Sequence, residues 1–321
     1  MRYLIVAVIL ISFFSCDNTL DILEEPKDIP IVYGILSATD TAHYIRVERA
    51  FVAENVSAFE LAQDPTQLYY ENAEVTLING TDRFSLEMID ATNDGFPRQE
   101  GVFAQTPNTV FKIRNSDINL VEGDEYTLEI NRNIENLPLV TATTNIVGAS
   151  EIRQPLSILN FDNNVFTTFS WREGEFSVIY DLFLDFRYRE RAIGSGDIFE
   201  AKVSRWRIAS DISTTSIDIQ GVQFYSFLSG AIPVDDTVER VIESVDLILN
   251  SGSTEIDEFI RISDANLGIT SSQDIPTFSN LSEGRGIFGS LYQEVRENVQ
   301  LTNRTLDSIR MGSITGDLNF N

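Results

Sequence analysis

The stretch Val178-Ile-Tyr-Asp-Leu-Phe-Leu-Asp-Phe-Arg-Tyr-Arg189 alternates at period two. Tyr180, Leu182, Leu184, Phe186 and Tyr188 fall on one face of a strand, and Asp181, Asp185, Arg187 and Arg189 fall on the other. A segment written this way buries one face and solvates the other, so the chain is organised around sheets. The rest of the sequence follows suit. From Ile29 onward, short runs rich in β-branched and aromatic residues are separated by turn residues: 31–36, 44–51, 74–78, 84–89, 110–113, 126–130 and 140–147. Asn79-Gly80 is a strong hairpin signal after the third of these, and residues 57–63 are the one helical-looking insert among them.

Roughly seven short strands punctuated by turns is the expectation for a β-sandwich. Glu122-Gly123-Asp124 ahead of Tyr126-Thr-Leu-Glu-Ile130 resembles the turn-then-strand pattern of immunoglobulin-like and fibronectin-like sandwiches. The second half reads differently. Strands are expected at 165–171, 178–189 and 238–249, with 199–209 pairing back on 178–189 across the Gly194–Asp197 turn. Short helices are expected at 222–228, from Ser253 or Thr254 to Ile262, and from Thr302 onward, and a last strand follows Gly284-Arg-Gly-Ile-Phe-Gly289 to about Tyr292. The expected fold class is mainly β: a sandwich over 29–149, followed by an α+β domain on an antiparallel sheet over 150–321. No internal repeat or low-complexity tract is present.

The chain has one cysteine, Cys16. Arg2 precedes an apolar run from Leu4 to Phe14, which has the length of a signal-peptide core and falls short of the ~20 residues that span a bilayer. Phe13-Phe-Ser-Cys16 resembles a relaxed bacterial lipobox of the kind found in Bacteroidota. That resemblance implies a signal peptide over 1–15, lipidation of Cys16 and a lipidated acidic linker over 16–28. An ordinary signal peptide with an incidental cysteine, or an N-terminal core strand, is the alternative. Asp17, Asp21, Glu24 and Glu25 resemble an export signal to the outer leaflet. Under the enterobacterial rule Asp17 would mean inner-membrane retention, and a plain solvated linker is the third reading. With Cys16 lipidated, no thiol remains for a disulfide, a metal site or a nucleophile, and the core must hold the fold.

A formal charge of −26, from 23 basic and 49 acidic residues, repels nucleic acid and anionic lipid. The single histidine, His43, lies in a turn entering a strand with no nucleophile elbow beside it, and one imidazole does not make a zinc site. Asp90-Ala-Thr-Asn-Asp-Gly95 has the oxygen spacing of a calcium loop, but Gly101 stands where a bidentate glutamate is wanted, so a plain turn is the better reading. Gly284, Gly286 and Gly289 are not spaced like a dinucleotide fingerprint and suit a bulge or tight turn. Trp171 and Trp206 could serve as sugar platforms, although alternate spacing on strands is also what a core needs. Asp40-Thr-Ala42, Asp236-Thr-Val238 and Asp307-Ser-Ile309 fit the Bacteroidota O-glycosylation pattern at near-chance frequency.

The lipobox, Pro30-Ile-Val-Tyr-Gly-Ile-Leu36, Tyr70-Glu-Asn-Ala-Glu-Val-Thr-Leu77, Trp171 and Asn280-Leu-Ser-Glu-Gly-Arg-Gly-Ile-Phe-Gly-Ser290 together resemble an uncharacterised family of Bacteroidota outer-membrane lipoproteins. The resemblance spans most of the chain. It implies an envelope location, an Ig-like N-terminal domain and work beside outer-membrane β-barrels, and it implies no reaction. The expected function is an accessory or assembly subunit that is lipid-anchored in the outer membrane, faces the cell surface and binds a β-barrel complex for transport, secretion or barrel assembly. No enzyme activity, cofactor, metal or nucleic-acid partner is expected. One alternative is a glycan-binding lipoprotein that serves an uptake transporter, with Trp206 or Phe183 exposed on a flat face. The other is a hydrolase that uses an acid pair in a cleft.

Overall fold

The computed structural model describes residues 28–50, 57–162, 165–265 and 277–321. The expected leader, Cys16 and all but the last residue of the acidic linker lie outside the described residues. The first half holds β1 (Ile29–Leu36), β2 (Ala42–Ala50), β3 (Glu74–Asn79), β4 (Asp82–Ser85), β5 (Glu87–Asp90), β6 (Thr109–Arg114), β7 (Glu125–Asn131) and β8 (Val140–Asn145). Between them, among the described residues, lie three short α-helices: α1 (Ala58–Ala62), α2 (Pro65–Leu68) and α3 (Asn115–Ile118). Ser57 and Asp64 cap α1 and α2 by accepting backbone N–H bonds two residues on.

Two sheets face each other. One runs β1-β2-β6-β5, the other β4-β3-β7-β8. Val32, Ile45 and Phe111 from the first meet Leu77, Leu128 and Val140 from the second in a shared buried core. The expected single strand over 84–89 is in fact two. Leu86 is buried, gives its N–H to the Val75 carbonyl at 2.9 Å, and is where the chain leaves one sheet for the other.

The second half contains β9 (Glu151–Gln154), β10 (Ile158–Leu159), β11 (Phe166–Arg172), β12 (Ile179–Ala192), β13 (Glu200–Ile212) and β14 (Ser216–Gln220). These are followed by α4 (Gly221–Ala231), β15 (Val238–Gly252), α5 (Thr254–Ala265), β16 (Arg285–Leu301) and α6 (Asn303–Met311). A small sheet, β14-β11-β9, contributes Phe169 and Trp171 to a second core. The long strands β12 and β15 contribute Tyr180, Leu184, Phe186 and Leu247, and α4 and α6 add Phe224, Leu228 and Ile309. The face of β12 read as apolar in the sequence is buried at all five positions.

β16 joins the halves. Arg285–Ser290 pairs with β1 in parallel, and from Leu291 the same strand runs antiparallel to β15. The order β13-β12-β15-β16-β1-β2-β6-β5 is therefore continuous. The division expected at 149/150 is crossed here, since Leu281 and Phe288 belong to the first core. The whole is a mixed, mostly-β structure of several sheets with helices, consistent with an Ig-like β-sandwich plus an α+β region.

Candidate interaction surface

The strands β13, β12, β15 and β16 turn one face to the second core, and the opposite face carries charge. Register decides which charges meet. Asp185 lies opposite Arg205 on β13 and opposite Asp246 on β15. Arg205 grips Asp185 with both Nε (2.6 Å) and Nη2 (2.7 Å). Asp246 accepts from Arg187 Nε at 2.5 Å and from the Asn298 N–H at 2.9 Å. Arg207 reaches Asp181 at 2.9 Å, while Arg189 and Arg191 reach Glu243 and Glu239.

Two of these pairs are layered. The side chains of Asp185 and Asp246 are each 5% exposed, and those of Arg205 and Arg187 are 59% and 43% exposed. Two adjacent sunken carboxylates would repel, and a guanidinium on each removes that cost. The hydrogen bond to its carboxylate holds each of Arg187, Arg205 and Arg207 above the usual guanidinium range. Over Asp185 and Asp246 the outer layer is thus arginine, while the Arg189–Glu243 and Arg191–Glu239 pairs are partly exposed on both sides. Aromatic rings sit within the same face: Arg207 lies 5.6 Å from the Phe183 centroid, and Arg191 lies 4.2 Å from that of Phe199.

β13 borders this face and pairs only with β12 among the described strands. It is 13 residues long, against four for the edge strands β4 and β5. The edge of β8 is covered, with Thr141 exchanging hydrogen bonds with Ser282 at 2.7 and 2.8 Å. A long open edge leaves backbone donors and acceptors free to pair with another strand. Val203, half exposed, and the charged Lys202, Arg205 and Arg207 lie along it.

The other residues singled out in the sequence are accounted for locally. Trp171 is buried against Tyr180. Trp206 is partly buried and stacks on Phe227 of α4 at 5.5 Å, and Phe183 lies beneath Arg205 and Arg207. None of the three forms part of a flat exposed platform. His43 is buried, with Nε2 3.1 Å from Asn115 Oδ1. Asp90 caps a 3-10 turn over Ala91–Asp94 and also accepts the Asn108 N–H, and Asp94 binds Lys112 and Tyr44. Gly284 and Gly286 take φ of +99° and +122° where β16 meets β1. The arginine-over-carboxylate layering has a sequence signal, the alternating Asp and Arg of 181–191. Its partners on β13 and β15 become legible only with the register.

No protein-family model matches the chain, and no curated protein matches it. Among solved structures it is similar to "Crystal structure of DIP-gamma IG1+IG2", at 9% identity over 87% of this chain and 99% of that one, with a TM-score of 0.19. That likeness is weak and partial, and the reading of the fold rests on strand order instead.

Proposed function

We propose that the chain is a lipid-anchored accessory subunit that binds an outer-membrane β-barrel complex, facing the cell surface, and that it works by tethering and contact without chemistry of its own. The observation that carries this reading is the long open edge of β13 beside an arginine and aromatic face. Arginine and aromatics are the residue types enriched where proteins meet. A partner strand added to β13 would gain backbone hydrogen bonds. The charged residues along the edge would select among partners, because like charges opposite them destabilise the pair. Lipidation at Cys16 would raise the effective concentration of such a contact in the membrane plane.

The first half fits an Ig-like sandwich on two grounds. Lettered in chain order, its strands run A-B-E-D in one sheet and C′-C-F-G in the other. In addition, the hydroxyl of Tyr126, near the start of the F strand, accepts the Val121 N–H at 3.3 Å, which is the hydrogen bond of a tyrosine corner. The family resemblance to Bacteroidota outer-membrane lipoproteins supports the same placement. The glycan alternative needs free aromatic faces, and Trp171, Trp206 and Phe183 are engaged elsewhere. The acid-pair alternative meets Asp185 and Asp246, each locked to its own guanidinium.

The test is recovery of the natively expressed protein from gently solubilised outer membranes, beside the variant Val203→Asp. A β-barrel protein should accompany the native chain in stoichiometric amount and fall by about tenfold with the variant. Recovery of the lipoprotein alone would sink the reading.

A further inference from the structure

The first half carries a second feature, independent of the β13 edge and of any membrane anchor. The cross-strand pairs Tyr33–Arg46 and Ile31–Glu48 lie on the face of β1 and β2 turned away from the first core, alternating with the core-facing Val32–Val47 pair. α2 and the loop over 96–104 roof part of this face. Leu68, Tyr69 and Ala104 form a small core of their own there, and the Ala104 N–H bonds to the Ala62 carbonyl at 2.8 Å. Sheet and roof border a half-open cavity of about 430 Å³, walled by Tyr33, Arg46, Glu48, Arg49, Arg98 and Phe103 among others.

Three guanidiniums and one carboxylate line this space. Glu48 is nearly buried, and its Oε1 takes both Arg46 Nη1 (3.0 Å) and Arg98 Nη1 (2.7 Å). Arg98 Nη1 also donates to the Tyr69 hydroxyl at 3.0 Å, and its guanidinium lies 4.7 Å over the Phe103 ring. Arg49 stacks 4.5 Å over Tyr70 and stands 3.1 Å from Asp28, but Asp28 is also bound by the buried Arg132 at 2.7 Å. Glu283 reaches Arg132 at 3.3 Å. Among the described residues, four guanidiniums meet three carboxylates in this network, on a chain whose formal charge is −26. A half-buried surplus cation is costly unless an anion answers it. The walls that remain half exposed, Tyr33 and Phe103, are apolar rings.

We propose that this cavity binds a small organic monoanion, a carboxylate carried on an apolar or aromatic body. Arg46 Nη2 already donates to Asn108 Oδ1 at 2.8 Å, so the carboxylate would take the N–H groups of Arg46 that Glu48 and Asn108 leave over, together with those of Arg49, and the body would lie between Tyr33 and Phe103. The volume is within the range of small-molecule sites, which pair an apolar lining with a few placed polar groups.

Naphthoate and its uncharged counterpart naphthalenemethanol test this by calorimetric titration of the full chain in detergent, with a detergent-only blank subtracted. Naphthoate should bind at least about tenfold more tightly than the alcohol, the worth of one charge-assisted hydrogen bond. Arg46→Gln and Arg49→Gln should each weaken naphthoate by about tenfold and leave the alcohol unchanged. Arg153→Gln, at an exposed surface pair with Glu151, should change neither. Equal affinity for the two probes, no naphthoate binding at millimolar concentration, or an equal loss in Arg153→Gln would each overturn the proposal. Should Arg49→Gln lower the melting temperature, Arg46→Gln, whose partner Glu48 keeps Arg98, decides the matter.

Discussion

Protonating His43 would place a charge in a buried site. The ring is 1% exposed, Nε2 donates to Asn115 Oδ1, and Nδ1 has no hydrogen-bond partner among the described residues. Burial lowers its pKa below 6.5, against the smaller opposing pulls of the Asn115 bond and of Asp40. The unfolded chain therefore binds the proton more readily than the folded one. His43 then costs stability as pH falls from 6.5 toward its lower folded value, and nothing above that window. Urea midpoints for the native chain and His43→Gln, compared at about pH 7.5 and about pH 5, should show a shallower acid loss in the variant. Identical losses would mean that the folded imidazole is as readily charged as the unfolded one. The sequence already denied His43 a nucleophile or a zinc site. It could not reveal the burial, because Asn115 opens α3, 72 residues away.

Among the elements, the ones misread are those whose neighbours overrule local pattern. β12 was legible over its whole apolar face, because alternation alone defines which side is buried. β16 was not. Its expected end at Tyr292 falls nine residues short of Leu301, since Gln293-Glu-Val-Arg-Glu-Asn-Val-Gln300 carries little apolar alternation. Pairing with β15 imposes the strand there, with Asn298 at φ 58° where the register shifts nearby. Gly284, Gly286 and Gly289 fit a tight turn or bulge in the sequence, and the physical demand on Gly286, inside β16, is sharper than that. It sits at φ +122°, and an added Cβ would stand 1.8 Å from the Val32 carbonyl oxygen, inside the β1–β16 ladder. Gly286→Ala should cost at least about 2 kcal/mol, read as a lowered urea midpoint at unchanged slope. Gly196→Ala, with open space around it, should stay within about 0.5 kcal/mol of the native chain. If both variants unfold together with the native protein, the parallel ladder tolerates a shift that its geometry forbids.

At the scale of the molecule, the last fifth of the chain adds to both sheets around the first core. Arg285–Ser290 adds a parallel strand to β1 in one sheet, while Ser282 covers the β8 edge of the other through Thr141. Asn280 pins the two together, donating to the Phe288 carbonyl at 2.7 Å and to that of Thr143 at 3.3 Å and accepting the Phe288 N–H at 3.0 Å. Phe288 is fully buried in the first core. A sequence reading that divides the chain at 149/150 cannot see this, because parallel pairing across some 250 residues leaves no local trace. The consequence is thermodynamic. If the first core needs Leu281 and Phe288, neither half holds its packing alone, and the two should unfold as one unit. Calorimetry on the full chain should give a single transition whose van't Hoff and calorimetric enthalpies agree. A fragment covering 28–150 should keep much of its far-ultraviolet strand signal while losing the near-ultraviolet signature of fixed aromatic packing, and it should bind an apolar dye. A fragment that instead unfolds cooperatively with its near-ultraviolet signal intact would show that the shared strand is an appendage to a self-sufficient first half. Adding a synthetic peptide of residues 279–292 separates the two cases. A core missing Phe288 should regain its aromatic signal on binding the peptide, and a complete one has no slot for it to fill.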